Sequence, residues 1–115
     1  MAFPKRARLP VQKFLKKKAV ARRAHGFLVK KFRAEFGYSR VGVVVSRAVA
    51  GKAVRRNRLR RIVLRVLADI LPSLSIPLDI LIIAEPVAAR LSYAEARTVL
   101  ANLLISPPHQ NNSRK

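Results

Sequence analysis

The residues able to do acid–base or metal chemistry are few and widely spaced in this chain of 115 residues. There is no cysteine, and the two histidines, His25 and His109, lie far apart. The acidic residues stand singly, at Glu35, Asp69, Asp79, Glu85 and Glu95. Catalysis by side chains needs a paired acid and base, an activated nucleophile or convergent metal ligands, and none is recognisable. We therefore expect no catalytic residue and no metal site in the polypeptide, and a structural or loop role for His25.

Positive charge is the dominant chemical feature of the sequence. There are 25 Lys and Arg residues against five Asp and Glu, a formal net charge of +20. Residues 1–65 contain 21 of these bases and a single acid, Glu35, whereas residues 66–115 contain four of each sign. A charge excess this large opposes compaction unless a polyanion screens it. The binding face is therefore expected in the first 65 residues, with the C-terminal third as support.

The densest positive charge falls on a predicted amphipathic helix, residues 52–71. Its core side follows the i, i+3, i+4 spacing of one helix face, with Leu59, Ile62, Val63, Val66, Leu67 and Ile70. Basic residues form two further lines along the helix, Arg58, Arg61 and Arg65 on one and Lys52, Arg56 and Arg60 on the other. Pro72 is expected to end the helix, because proline disfavours helical geometry in the residue before it.

The basic side of this helix carries no compensating charge, since no acidic residue occurs between Lys52 and Ala68. Surface helices usually mix signs, and like charges four residues apart cost a few tenths of a kcal/mol each. An external counter-charge is the simplest way to offset that cost. The pattern therefore favours a nucleic-acid-binding face over a merely solvated or membrane-surface helix.

The remaining patterns predict the order helix, strand, strand, helix, strand, helix. A short helix is expected within residues 9–18, and residues 19–25 could extend it or form a basic loop. Strands are predicted at 27–33, 40–46 and 78–84, the last buried on both faces, and a capping box from Ser92 to Glu95 begins the final helix. Gly42 within a strand predicts a bulge or a close approach to the backbone. The fold class is an α/β (α+β) two-layer sandwich with a small mixed sheet.

The length and the composition predict a single domain. We expect one domain at residues 9–106, a flexible basic tail at 1–8 and a flexible tail at 107–115. No apolar run approaches the ~20 residues that span a bilayer. With no cysteine and no signal peptide, a cytoplasmic location is expected.

The amino-acid sequence of the basic helix is also specific enough to indicate a protein family. Its segment from Ala53 to Arg61, with the triplet Arg56-Asn57-Arg58, resembles the signature of the bacterial ribonuclease P protein subunit. The resemblance includes residues 40–47 and 79–84, and it covers the chain from about Arg8 to Leu104. The sequence departs from the family pattern at Lys18, Leu64, Arg65 and Glu85.

This resemblance implies a fold and a function. The family fold has an additional short strand pairing and a left-handed β-α-β crossover, against the general right-handed rule. The implied partners are the ribonuclease P RNA and precursor tRNA, whose 5′ leader is removed. The RNA subunit is implied to cleave with Mg²⁺, while the protein binds no cofactor of its own, no small-molecule substrate and no membrane.

The resemblance and the charge pattern together select two sets of candidate site residues. The first set is expected to bind the catalytic RNA, with Asn57 either bonding RNA or fixing a neighbouring arginine: Lys52, Arg55, Arg56, Asn57, Arg58, Arg60, Arg61 and Arg65. The second is expected to line a cleft for the 5′ leader: Phe14, Lys13, Lys17, Phe27, Lys30 and Arg47. Single-stranded RNA is commonly held by such a combination of bases and stacking aromatics. Both phenylalanines could instead be ordinary core residues.

Two alternative functions would each explain part of the sequence pattern. A ribosomal or other structural RNA-binding protein would explain the charge but not the Arg56-Asn57-Arg58 triplet following residues 40–42. A DNA-binding architectural protein would need duplex DNA affinity as strong as RNA affinity, and no helix-turn-helix pair is recognisable.

Overall fold

The computed structural model describes residues 7–48 and 51–105, so most of both predicted tails lies outside it. Two 3₁₀ turns, Leu71–Ser73 and Pro86–Arg90, flank the last strand. The helices are α1 (Val11–Leu15), α2 (Ala53–Ile70) and α3 (Tyr93–Ile105). The strands are β1 (Val20–Ala24), β2 (Phe27–Arg33), β3 (Arg40–Val44) and β4 (Leu78–Ala84). The predicted basic helix, its two neighbouring strands and the final helix are thus confirmed.

The four strands form one mixed sheet in the order β1-β2-β4-β3. β2 is antiparallel to both β1 and β4, whereas β3 and β4 are parallel and are joined through α2. β4 therefore lies inside the sheet, which explains why its sequence is apolar on both faces. The connection through α2 forms the expected β-α-β unit, and its left-handed sense stays a prediction of the resemblance.

The sheet separates two hydrophobic clusters. The main core lies between the sheet and helices α2 and α3, where Val41, Ile80 and Ile82 face residues such as Val63 and Leu100. The second cluster lies on the opposite face, under α1 and the segment before it. It contains Leu9, Phe14 and Leu81, bordered by Val11, Leu15, Phe32, Val44 and Ile83. The predicted sandwich is confirmed, with α1 added on the second face.

The prediction for residues 19–25 is wrong, because this segment forms strand β1 rather than a helix or loop. α1 ends at Leu15, and β1 pairs along its whole length with β2. The two residues between these strands, His25 and Gly26, have φ angles of 45° and 95°. Two successive positive φ values are typical of the type I′ turn that connects tight hairpins. His25 therefore lies in a turn, as expected.

Gly42 permits a close approach rather than a bulge, since the β3–β4 register is continuous from Arg40 to Val44. A Cβ atom at this glycine would lie 2.7 Å from Cγ2 of Val11 and 3.2 Å from Cβ of Leu9. The backbone N–H of Leu9 also donates to the carbonyl of Val41 at 3.0 Å. The missing side chain therefore allows the segment before α1 to lie directly on β3.

The start of α3 has the predicted capping box. The backbone N–H of Ser92 donates to Glu95 Oε1 at 2.9 Å, and the backbone N–H of Glu95 donates to Ser92 Oγ at 3.2 Å. Tyr93 then donates its hydroxyl to Asp69, which links α3 to α2. Within the described ranges, no helix is both long and apolar enough to cross a membrane.

Candidate nucleic-acid interface

The outer face of α2 is an exposed line of arginines. Leu59, Val63, Val66, Leu67 and Ile70 are buried against the sheet and α3, which fixes the orientation of the helix. Arg58, Arg61 and Arg65, at i, i+3 and i+7, are all exposed on the other side. Together with Arg55 in the first turn, they form what we call the arginine face.

Some basic residues of α2 are held by neighbouring groups. Arg56 donates to the carbonyl of Gly51 at 2.8 Å, so it also stabilises the start of the helix. Arg60 donates to Asn57 Oδ1 at 2.9 Å, which matches the second role predicted for Asn57, fixing a neighbouring arginine. The guanidinium of Arg65 lies 5.5 Å from the ring centre of Tyr93.

Other basic residues of this helix remain available. Within residues 7–48 and 51–105, the guanidinium groups of Arg55, Arg58 and Arg61 take part in no hydrogen bond or ion pair. Lys52 is exposed immediately before the helix. These groups can therefore neutralise phosphates without breaking a contact that the fold uses.

A second basic surface surrounds α1. Phe14 is 2% exposed and packs edge-to-face against Phe32, with ring centres 5.0 Å apart. The ammonium of Lys17 lies 4.4 Å from the Phe14 ring centre, and Lys30 donates to the carbonyl of Leu15 at 3.0 Å. Lys13 is exposed on the same helix. The structure thus brings together four of the six residues predicted to line the leader cleft, and a base could stack on Phe14 only after Lys17 moves off the ring.

Of the other two residues predicted for this cleft, one lies on the opposite face of the sheet and the other lies in the turn after β3. Phe27 is fully buried in the main core, on the face of the sheet opposite Phe14, so we remove it from the cleft. Its position follows from the β2–β4 register, in which Phe27 pairs with Ala84 and shares its face. Arg47 is exposed in the turn after β3.

Sequence reasoning missed a buried ion-pair network beside Phe14. Arg40, which is 7% exposed, donates from Nε to Asp79 Oδ1 at 3.1 Å and from Nη2 to Asp79 Oδ2 at 2.8 Å. Nη2 also donates to Glu35 Oε1 at 2.8 Å. Hydrogen bonding to Asp79 raises the pKa of Arg40 above its usual value, so the guanidinium stays charged although it is buried.

The sequence did contain a signal for this network. Arg40 and Asp79 are direct neighbours in the parallel β3–β4 register, and Asp79 is a lone acid in an apolar strand. A carboxylate at such a position needs a partner, because burying an unpaired charge is costly. Arg40 and Asp79 are 39 positions apart in the sequence, so the sequence alone does not show which base is the partner.

Some of the other charged residues have local structural partners. Glu85 pairs with Arg23 at 2.8 Å across the end of the β1–β2 hairpin. Burial and the nearby charge of Arg22 lower the pKa of Lys31, on the main-core face of β2. In the described part of the chain, no three acidic or histidine side chains are grouped as metal ligands would be.

Comparison with known proteins agrees with this arrangement. A family model for ribonuclease P matches residues 4–106. The ribonuclease P protein of Thermotoga maritima, solved with 1-(4-fluorophenyl)-2-thiourea, is 30% identical and has a TM-score of 0.77, with 87% of this chain and 99% of that chain covered. The Staphylococcus aureus protein is 26% identical with a TM-score of 0.68, and the match covers 81% and 84% of the two chains.

The curated relatives carry the same description. The ribonuclease P protein component of a Pseudanabaena strain is 36% identical over 67 residues, which is 58% of this chain and 58% of the relative. That of Lactobacillus gasseri is 35% identical over 65 residues, 53% of its length. The chain thus spans little more than half the length of the curated relatives it matches. Since the family model covers nearly the whole sequence, the chain belongs to the ribonuclease P protein family.

Proposed function

We propose that this chain is the protein subunit of a bacterial ribonuclease P, which assists removal of the 5′ leader from precursor tRNA. The observation that supports this most directly is the arginine face of α2, in a chain that the family model matches almost end to end. A helix held by its apolar side presents Arg58, Arg61 and Arg65 outward, with no acidic residue from Lys52 to Ala68 to neutralise them. Such a surface suits the phosphate backbone of a folded RNA.

The two basic surfaces have different roles in this proposal. The arginine face binds the catalytic RNA, where contacts to phosphate position the protein. The α1 surface, with Lys13, Lys17 and Lys30 around Phe14, receives the single-stranded leader. The two surfaces lie on opposite sides of the sheet, because α2 packs on one face and α1 on the other. One small domain can therefore contact both RNAs at once.

Cleavage is assigned to the RNA subunit. The acidic residues of the protein are dispersed or already engaged, as Glu35 and Asp79 are with Arg40. Mg²⁺ would be held by phosphates of the catalytic RNA, and the protein would act by positioning the substrate and screening charge.

The direct test adds the purified protein to a bacterial ribonuclease P RNA at a Mg²⁺ concentration where the RNA alone is slow. We expect the mixture to cleave precursor tRNA at the mature 5′ end, and the protein alone to leave it intact. A structural RNA-binding protein of another assembly would bind RNA without restoring cleavage. Absence of stimulation by a folded protein, or cleavage by the protein alone, would contradict the proposal.

A further inference from the structure

An aromatic pair, of which the Phe36 ring is exposed, lies in the connection between β2 and β3. The rings of Phe36 and Tyr38 are stacked, with centres 5.7 Å apart and planes inclined by 25°. Phe36 is 50% exposed, whereas most large apolar side chains in residues 7–48 and 51–105 are buried in, or packed against, the two clusters. Aromatic side chains bury large apolar areas when they serve the core. About half of the surface of Phe36 is therefore accessible to a ligand outside the domain.

The pair rests on a rigid base. The guanidinium of Arg40 lies 4.8 Å from the Phe36 ring centre and 5.5 Å from that of Phe14, so it connects the exposed ring to the α1 surface. Asp79 holds this guanidinium with two hydrogen bonds, and Glu35 with a third. A ring supported in this way loses little conformational freedom when a ligand stacks on it.

The surrounding charge indicates which ligand this is. Arg40 is already neutralised by Asp79 and Glu35, so it supports the ring and is not available to bind a phosphate. Free positive charge lies on the neighbouring α1 surface, where Lys17 covers Phe14 and Lys16 and Lys18 are exposed. An aromatic surface next to a row of lysines fits a single strand, whose bases stack while its phosphates follow the positive charge.

We propose that the Phe36–Tyr38 pair is a stacking site for an unpaired base of single-stranded RNA that continues from the α1 surface. The identity of that RNA as the 5′ leader rests on the function proposed above. The site has no built-in sequence preference, because every base offers a π-face. It extends the binding surface beyond the six residues that the sequence selected for the leader cleft.

The test uses the reconstituted holoenzyme and two substitutions at Phe36. Phe36→Leu keeps an apolar cover over Arg40 but removes the π-face, whereas Phe36→Trp keeps a stacking surface. Val87→Ala is the matched control, since Val87 is 62% exposed on the 3₁₀ turn after β4, at the other end of that strand. Affinity is measured for mature tRNA and for precursors with leaders of increasing length.

We expect Phe36→Leu to weaken binding about fivefold to thirtyfold, the lower part of the range for base–aromatic stacking. The loss should appear only once the leader reaches the pair, and mature tRNA should be unaffected. Phe36→Trp and Val87→Ala should bind every substrate nearly as the wild type does. A photo-crosslinking residue placed at position 36 should then label the leader.

Three results would overturn the stacking site. These are unchanged leader affinity in Phe36→Leu, an equal loss with and without a leader, or a lower melting temperature as the only effect. The second result would assign the pair to a contact with the catalytic RNA or the tRNA body. The third would assign it to a cover for the Arg40 ion pair.

If the wild-type protein fails to restore cleavage, the proposed function itself is wrong. If it restores cleavage and Phe36→Leu has no effect, only the stacking site is wrong.

Discussion

The arginines of α2 and the single arginine at the start of β3 show how differently one residue type is used in this domain. On α2, Arg58 and Arg61 are exposed and make no ion pair in the described part of the chain. On the other face of the sheet, Arg40 is buried and bound by both Asp79 and Glu35. The arginines of α2 gain from an external polyanion, whereas Arg40 already has its counter-ions.

The number of positive charges therefore does not by itself locate an RNA-binding surface. A compensated, buried arginine contributes little field outside the protein, and removing its partner leaves a charge without solvation. An uncompensated arginine on a helix contributes little to folding and much to association with a polyanion. The two classes should therefore respond oppositely to mutation, one in stability and the other in salt-dependent binding.

The largest expected effect is on stability and comes from Asp79→Asn. This substitution keeps the shape of the side chain but leaves Arg40 with only the more exposed Glu35 as a counter-ion. Removing one partner of a buried ion pair typically costs about 3–5 kcal/mol. Urea unfolding should show a loss of this size, with RNA binding retained under conditions where the variant is folded.

The matched comparison is Arg58→Ala, which removes an exposed charge and should change the unfolding free energy by less than about 0.5 kcal/mol. A double substitution, Arg40→Met with Asp79→Leu, should recover much of the stability lost in Asp79→Asn, because apolar residues can replace a buried pair. If Asp79→Asn were no more destabilising than Arg58→Ala, the contrast between the two arginine classes would be wrong.

A smaller loss of stability is expected from Gly42→Ala, which tests how α1 is attached to the sheet. The new Cβ would lie 2.7 Å from Cγ2 of Val11, so the segment before α1 must shift. Overpacking of this kind typically costs about 1–3 kcal/mol. Thermal or urea unfolding measures the loss, and a weaker affinity for leader-bearing precursor tRNA would show that the α1 surface has moved.

The chain provides a control for this substitution in Gly37, in the β2–β3 connection. A Cβ at Gly37 would meet nothing within 4 Å, so Gly37→Ala should change stability little or raise it slightly. Equal effects of the two substitutions would mean that contact with α1 is not what requires a glycine at position 42.

The sequence predicted the elements whose patterns are local. β2 and β4 have the predicted bounds, and α2 differs from its prediction by one residue at each end, because composition and periodicity were unambiguous there. β1 was missed because it is an edge strand whose residues, such as Val20 and Arg23, are largely exposed, so it lacks the alternation that marks a half-buried strand. The two-residue turn His25-Gly26 was the available signal for the hairpin.

The parts that could not be predicted depend on register. Whether Phe27 faces α1 or the main core depends on its pairing with Ala84, and a shift of one residue would reverse the answer. The contact between Arg40 and Asp79 likewise exists only because β3 and β4 are parallel neighbours in that register. The arginine face was predictable because all of it lies on one helix, where spacing along the chain gives spacing in space.

The arginine face itself should respond in binding and not in folding. Replacing Arg58 and Arg61 together with alanine removes two of its exposed charges, and neither makes an ion pair in the described ranges that the fold would lose. Each phosphate contact contributes about 0.7 to the salt slope for a single strand and about 0.9 for a duplex. The slope of log K against log salt concentration, measured for binding to the catalytic RNA, should therefore become shallower by roughly 1.4 to 1.8.

The control is Arg90→Ala with Arg97→Ala, which removes the same charge from exposed positions in the C-terminal third. This double variant should leave the slope nearly unchanged. If both double variants flatten the slope equally, net charge and not the arginine face of α2 determines the interaction.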